Sequence, residues 1–210
     1  MLVEVYSDVA CPWCYIGERR FTKALQRFEG RDDVEVVFRP YQLDPSAPAK
    51  SVPLLDALTR KFGPNAAQME RVTGAAAGEG ISMRMDRARS VNTLDAHRLL
   101  RLAEREHGPA VQRALVDRLF AAYFTDGGDV GDRAQLVSIA AAAGIDRARA
   151  EAYLASGEGL AEVTAEIEEA RSLGITAVPT FVFEGKYAVS GAQEPELFLE
   201  ALREVARDEG

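Results

Sequence analysis

Residues 1–17, MLVEVYSDVACPWCYIG, lead from a short apolar segment directly into a pair of cysteines. In residues 2–6 apolar side chains fall on both faces of an alternating pattern, which is typical of a strand that is buried on most of both sides. Ser7 and Asp8 then end the strand. Pro12 suits the first position of a helix, where the backbone N–H has no partner inside the helix. The stretch therefore predicts a strand followed by a helix that begins inside the cysteine motif, and the helical pattern extends to Gly30.

The motif Cys11-Pro12-Trp13-Cys14 contains both cysteines of the sequence. Two residues at i and i+3 of a helix have Cα atoms about 5 to 6 Å apart, a spacing that a disulfide bond accepts. Cys11 is predicted to be the nucleophile, because unpaired N–H groups and the helix dipole stabilise a thiolate at a helix N-terminus. Cys14 lies inside the first turn and is predicted to be the resolving cysteine, which attacks the mixed disulfide on Cys11.

The two residues between the cysteines are also candidates for the site. Pro12 stiffens the first turn and keeps it helical. Trp13 is the only tryptophan of the sequence. It either offers a flat apolar contact surface to a substrate or packs over the end of the helix, and the sequence favours neither role.

Two other roles would suit a closely spaced cysteine pair. A structural zinc site needs two more cysteine or histidine ligands, and the sequence offers only His97 and His107. If both lie on one helix, they are about 15 Å apart along its axis, too far to share a metal ion. A buried, inert pair is the second alternative. A cysteine pair that follows a strand and opens a helix favours redox chemistry over both.

The rest of the chain predicts a second strand, a helical stretch and a hairpin. Residues 34–38 are short and β-branched, so they predict a strand that is parallel to the first, because a helix connects the two. From residue 54 to residue 173 the pattern is almost entirely helical. Residues 179–190 predict a hairpin with its turn at Glu184-Gly185, and a last helix follows.

The composition narrows the classes of function. The sequence is 47% hydrophobic and 28% charged, with a formal net charge of −8. This charge argues against nucleic-acid binding, which needs a basic surface for the phosphates. No run of eighteen apolar residues occurs, so no contact with a membrane through a spanning helix is predicted. Met1 is followed at once by a predicted strand, which predicts a cytoplasmic location.

Three parts of the sequence resemble the DsbA family and, within it, the FrnE-like branch. They are residues 7–17, Asn92-Thr93 with Ala96-His97-Arg98-Leu99, and Val178-Pro179-Thr180-Phe181 with Ser190-Gly191-Ala192-Gln193. The resemblance implies an α/β protein with a thioredoxin-like fold, in the order βαβ…ββα, and a large all-helical insertion. We expect a discontinuous thioredoxin-like domain at residues 1–53 and 174–210, and an insertion domain at residues 54–173.

The resemblance also implies where substrate binds. Pro179 is expected in the cis form and facing Cys11, so that the backbone of Val178 can pair with a bound substrate strand. Pro12, Trp13, Val178 and Pro179 are therefore the predicted substrate-binding residues, with Cys11 and Cys14 as the catalytic residues.

The predicted function is thiol-disulfide exchange with protein or small-molecule substrates. No cofactor or metal is expected, glutathione is a candidate redox partner, and a homodimer is left open. Relatives that share the fold, 2-hydroxychromene-2-carboxylate isomerases and kappa-class glutathione transferases, carry serine at the first cysteine. A glutathione-dependent isomerase or transferase is therefore the first alternative, although Ala192-Gln193 stands where the kappa class has a Ser-Asp pair for glutathione. A redox-inert binding or chaperone module is the second alternative.

Two polar residues near these motifs have structural interpretations. His97 is interpreted as a partly buried packing residue at the edge of an apolar helix stripe. Asp8 is interpreted as the end of the strand rather than as a group that tunes the thiol. The role of Asn92 stays open.

Overall fold

The computed structural model describes residues 1–63 and 66–208. Its strands are β1 (Leu2–Ser7), β2 (Glu35–Pro40), β3 (Val52–Pro53), β4 (Arg89–Ser90), β5 (Thr180–Phe183) and β6 (Tyr187–Ser190). Its α-helices are α1 (Pro12–Arg27), α2 (Leu54–Phe62), α3 (Ala66–Gly78), α4 (Leu94–His107), α5 (Pro109–Ala121), α6 (Arg133–Ala142), α7 (Arg147–Ala155), α8 (Leu160–Ser172) and α9 (Pro195–Asp208). The order of these elements confirms the predicted α/β thioredoxin-like fold with a long helical stretch between its two halves.

Strand β1 lies inside a four-stranded sheet with the order β2-β1-β5-β6. It pairs in parallel with β2 and antiparallel with β5, and β5 pairs antiparallel with β6. Val3 and Val5 are almost completely buried, as expected for a strand with a neighbour on each side and both faces covered. The predicted parallel βαβ unit is confirmed. Because β1 is central, the chain that leaves its carboxyl end emerges in the middle of the sheet.

The hairpin between β5 and β6 turns at Glu184 and Gly185, as predicted. Both residues have positive φ values, +51° and +64°. Two consecutive left-handed residues form the type I′ turn that matches the twist of paired strands. The Glu184 side chain also accepts a hydrogen bond from the N–H of Leu2, so the turn is tied to the start of β1.

The helix after the cysteine motif ends earlier than its sequence pattern predicts. The pattern extends to Gly30, whereas α1 ends at Arg27 and Phe28 has an extended backbone. Gly30 is not left-handed; its φ is −95°. A Cβ at this position would lie 3.0 Å from the ring of Phe28, which is a tight contact, so a small residue suits the position. Directly after the helix, the ring of Phe28 is buried in the hydrophobic core.

Helices α2 to α8 fill most of the segment predicted to be all-helical, with one difference. Strand β4 lies inside this segment and pairs with β3. The Arg89 side chain reinforces the pair by donating to the Ser51 hydroxyl at 2.7 Å. Strands of two residues are too short to show an alternating pattern, so the sequence does not predict them. Among the described helices, none is long and apolar enough to cross a membrane.

The helical stretch packs on the sheet at β2, which α4, α5 and α8 all contact. At the centre of this contact lies Gln112 of α5. Its Oε1 accepts from the N–H of Phe38 at 2.8 Å, and its Nε2 donates to the carbonyl oxygen of Phe38 at 2.9 Å. Because β2 is an edge strand, these two backbone groups have no partner strand on that side. The Gln112 amide therefore takes the place of a neighbouring strand at this point.

Candidate active site

Cys11 is the N-cap residue of α1, directly after the turn that leaves β1. Its N–H donates to the carbonyl oxygen of Asp8 at 3.0 Å, and its own carbonyl accepts from the N–H of Cys14 at 3.1 Å and of Tyr15 at 3.4 Å. The side chain is a free thiol and is nearly fully buried. The sulfur thus lies at the end of the helix where the dipole favours a negative charge.

Cys14 lies one turn inside α1 and is also a free, buried thiol. Burial raises the pKa of Cys14 well above its ordinary value, and the Cys11 sulfur beside it adds to the rise. Hydrogen bonds from the Asp8 N–H and the Ser7 hydroxyl act in the opposite direction but are weaker. Cys14 therefore stays protonated near neutral pH, in the form that is a poor nucleophile.

The loop before β5 faces the cysteine motif. The Val178–Pro179 peptide bond is cis, in agreement with the resemblance. The Cys11 thiol donates to the carbonyl oxygen of Val178 at 3.6 Å. Gly17 of α1 allows this approach, because a Cβ there would lie 2.9 Å from Cγ of Pro179. The structure thus brings together the cysteines and the two residues predicted to face them from the far end of the chain.

Pro12 and Trp13 occupy the first two positions of α1. The indole of Trp13 is half-buried and packs against the hydrophobic core. The guanidinium carbon of Arg71, on α3, lies 5.4 Å from the centre of the Trp13 ring. One face of the tryptophan is therefore covered by the helical stretch, and the ring is both part of the core packing and a neighbour of the cysteines.

Asp8 and His97 form a buried pair beneath the cysteine turn. Nε2 of His97 lies 3.3 Å from Oδ1 of Asp8, and each side chain is only 2% exposed. The Asp8 carboxylate also accepts from the N–H of Leu43 at 2.8 Å and of Ala10 at 3.3 Å. Burial of His97 agrees with its interpretation as a packing residue. Asp8, in contrast, does more than end β1: it joins the turn before Cys11 to α4 and to the loop after β2.

Asn92 and Arg98, which lie in the same family-like segment as His97, have structural contacts. The side-chain oxygen of Asn92 accepts from the N–H of Leu94, the first residue of α4, at 2.9 Å and from the side chain of Gln42 at 3.0 Å. Arg98 is buried and donates to the carbonyl oxygens of Tyr153 and Glu158, both at 2.8 Å. These two residues therefore hold helices and loops together and do not reach the cysteines. In the described part of the chain, no group of three His, Cys, Asp or Glu side chains could hold a metal ion.

Two carboxyl groups lie side by side where α1 meets α5. Glu18, one turn after Cys14, is buried, and Asp117 of α5 is partly exposed. Burial raises the pKa of Asp117 to about 6, and the charge of Glu18 adds to the rise. Arg113 binds Glu18 at 3.2 Å, whereas Arg19 is 3.9 Å from Asp117. Between the ordinary pKa of an aspartate, about 4, and about 6, a carboxyl group at this contact is therefore more protonated in the folded protein than in the unfolded chain.

Asp117→Asn is expected to flatten the fall in stability between pH 4.5 and pH 7.5. The pKa of Asp117 is higher in the folded protein than in the unfolded chain. Protonated Asp117 therefore contributes its full share to the free energy of unfolding below the unfolded pKa, about 4, and this share is lost as the pH rises through about 6. The full pKa shift would correspond to about 3 kcal/mol, but the side chain is 37% exposed. Screening by water reduces the expected change to about 1 kcal/mol.

Urea unfolding of wild type and Asp117→Asn at the two pH values measures this difference. Asp32, which is almost fully exposed, supplies the matched control Asp32→Asn, whose pH dependence should follow that of wild type. Parallel curves for wild type and Asp117→Asn would contradict the prediction.

Comparisons with known proteins add to this geometry. The protein-family model for the DSBA-like thioredoxin domain matches residues 2–203 of the sequence. A probable DsbA oxidoreductase from Streptomyces coelicolor is 40% identical, with a TM-score of 0.89 over 98% of this chain and 89% of that one. A cytosolic disulfide reductase, DsbM from Pseudomonas aeruginosa with GSH, is 18% identical, with a TM-score of 0.69 over 99% and 100% of the two chains. A 2-hydroxychromene-2-carboxylate isomerase is 17% identical, with a TM-score of 0.72 over 100% and 98%. The last two comparisons show a shared fold alone.

Proposed function

The chain belongs to the DSBA-like thioredoxin family, and from this membership we propose that it is a thiol-disulfide oxidoreductase that works through Cys11 and Cys14. The observation that carries the proposal is the position of Cys11: it caps α1, its thiol is 3.6 Å from the Val178 carbonyl, and a second thiol lies one turn away. A dithiol in this position can form and break a disulfide with little movement of the backbone.

The two cysteines take successive steps in the proposed reaction. The Cys11 thiolate attacks a substrate disulfide, a mixed disulfide forms, and one substrate thiol leaves. Cys14 then loses its proton and attacks the sulfur of Cys11, which releases the second substrate thiol and leaves a Cys11–Cys14 disulfide. The raised pKa of Cys14 keeps this thiol from competing in the first step. The same steps in reverse oxidise a dithiol substrate.

The surface around Cys11 is the proposed substrate site. Val178 offers its backbone to an extended substrate segment, and Pro12, Trp13 and Pro179 form the apolar surroundings of the sulfur. Glutathione is the proposed redox partner and the cytoplasm the proposed setting; DsbM, which shares the fold, is described as cytosolic and its structure was solved with GSH. Whether the protein forms a homodimer stays a prediction for sedimentation to test.

The isomerase or transferase alternative has less support. The isomerase in the comparison shares the fold at 17% identity, which carries no activity across. This chain has cysteine at both positions of the motif, and Gln193 donates to the carbonyl oxygen of Ser190 at 2.8 Å. The position that would hold glutathione in the kappa class is therefore occupied by a different residue with a structural contact.

Equilibration in glutathione buffers of increasing oxidised fraction tests the proposal. We expect one two-electron transition from the dithiol to the Cys11–Cys14 disulfide. Alkylation with mass spectrometry measures it, and Trp13 fluorescence is a second readout. The midpoint would give the direction in which electrons pass. Thiols that stay reduced across the whole range would support the redox-inert module instead.

A further inference from the structure

Arg71 is an exposed cation that lies beside the cysteine motif. It belongs to α3, whose Val72 and Ala76 are buried in the core, so its backbone is held in place by packing. The guanidinium lies over the face of Trp13, at 5.4 Å from the ring centre. Trp13 is in the first turn of α1, between the two cysteines. The charge thus lies over one of the two residues that separate the cysteines in the sequence.

The donors of Arg71 are not used by an acidic side chain in the described part of the chain. Its neighbours on α1 differ: Arg20 binds Glu79 at 2.7 Å and Glu194 at 2.8 Å, and Arg19 lies within 4.0 Å of Glu18. A guanidinium that stacks on an aromatic ring uses its flat face, and its N–H groups point outward in the plane. Such an edge can bind a carboxylate through two parallel hydrogen bonds.

The overall charge of the protein makes this local cation significant. With a formal net charge of −8, the protein as a whole repels anionic substrates and attracts cationic ones. The Arg71 guanidinium, stacked on Trp13 of the cysteine motif, opposes that field locally, because screening by salt weakens charges within a Debye length of about 8 to 10 Å much less than distant ones.

We propose that Arg71 is a specificity residue that favours small disulfides with carboxylates near the sulfur over neutral and cationic ones. The inference rests on the proposed function and names its substrate class. In the reaction, the Cys11–Cys14 dithiol is oxidised to a disulfide and one substrate disulfide is reduced to two thiols. The two cysteine protons pass to the two product thiols, so no further oxidant or reductant is needed.

Three small disulfides of different charge test the inference: glutathione disulfide (anionic), hydroxyethyl disulfide (neutral) and cystamine (cationic). The measurement is the second-order rate at which each one oxidises the reduced protein, followed by acid quenching and alkylation. The variants are Arg71→Gln and Arg71→Glu. Arg31→Gln is the matched control, because Arg31 is exposed and lies before β2, at the end of the sheet away from Cys11. For each disulfide, the rate of the variant is divided by the rate of wild type, so that the intrinsic reactivity of the disulfide cancels.

We expect Arg71→Gln to lower the rate of oxidation by glutathione disulfide about three- to tenfold and to leave the rate with hydroxyethyl disulfide unchanged. Arg71→Glu should lower the rate with glutathione disulfide further and raise the rate with cystamine. Arg31→Gln should change none of the three rates. Equal effects on all three disulfides, or no effect on any, would overturn the inference while leaving the proposed function intact. A wild-type protein that reacts with none of the three would instead contradict the proposed function itself.

Discussion

Cys11→Ser is expected to lower the rate of disulfide exchange by at least about a thousandfold, because a serine hydroxyl is not ionised near neutral pH and is a poor nucleophile toward a disulfide. Cys14→Ser should behave differently. It keeps the attacking sulfur, so the mixed disulfide on Cys11 should form at a rate close to that of wild type. The mixed disulfide should then accumulate, since no second thiol is one turn away to release it.

Single-turnover mixing with glutathione disulfide, followed by mass spectrometry of the trapped protein, separates the two variants. We expect one added glutathione on Cys14→Ser and none on Cys11→Ser. Thermal unfolding of both variants is the control for loss of structure. Full exchange activity in Cys11→Ser would exclude Cys11 as the nucleophile, and a mixed disulfide on Cys14 in that variant would reverse the two roles.

Local patterns in the sequence predict the elements that carry the cysteines. Alternation in residues 2–6, Pro12 at a helix start and the β-branched segment at residues 34–38 are short-range signals, and β1, α1 and β2 form where these signals place them. The hairpin turn at Glu184-Gly185 is also local. The cis bond before Pro179 is different, because no feature of the neighbouring residues predicts it and only the family resemblance implies it.

The contacts between distant segments could not be predicted in this way. His97 and Asp8 are 89 positions apart, and a histidine at the edge of an apolar stripe gives no sign of the partner it meets. Arg71 belongs to a helix with no motif, so nothing in the sequence joins it to Trp13. Such pairs depend on how the helical stretch packs on the sheet, which is a property of the whole fold.

The helical stretch therefore does more than enlarge the protein. Helix α4 contributes His97, which bonds to Asp8 in the turn before Cys11, and α3 contributes Arg71, which covers Trp13. Both contacts reach the residues next to the cysteines. The surroundings of the dithiol therefore depend on the docking of these helices.

Gln112 allows a direct test of that docking. Replacing it with leucine keeps most of the volume but removes both hydrogen bonds to Phe38, at 2.8 and 2.9 Å. The N–H and carbonyl of Phe38 would then be buried without partners, because Gln112 itself is only 1% exposed. Each unsatisfied buried group costs about 1 to 3 kcal/mol. We therefore expect Gln112→Leu to lower the free energy of unfolding by about 2 to 4 kcal/mol.

Urea unfolding and amide hydrogen exchange measure this change. Gln26→Leu, on the exposed side of α1, is the matched control and should stay within about 0.5 kcal/mol of wild type. The amide of Phe38 should exchange faster in Gln112→Leu, since its acceptor is gone, whereas the amides of β1 should be less affected because β2 and β5 still flank that strand. If Gln112→Leu is as stable as wild type, then water or another side chain forms hydrogen bonds to the N–H and carbonyl of Phe38. The docking of α5 would then not depend on the Gln112 amide.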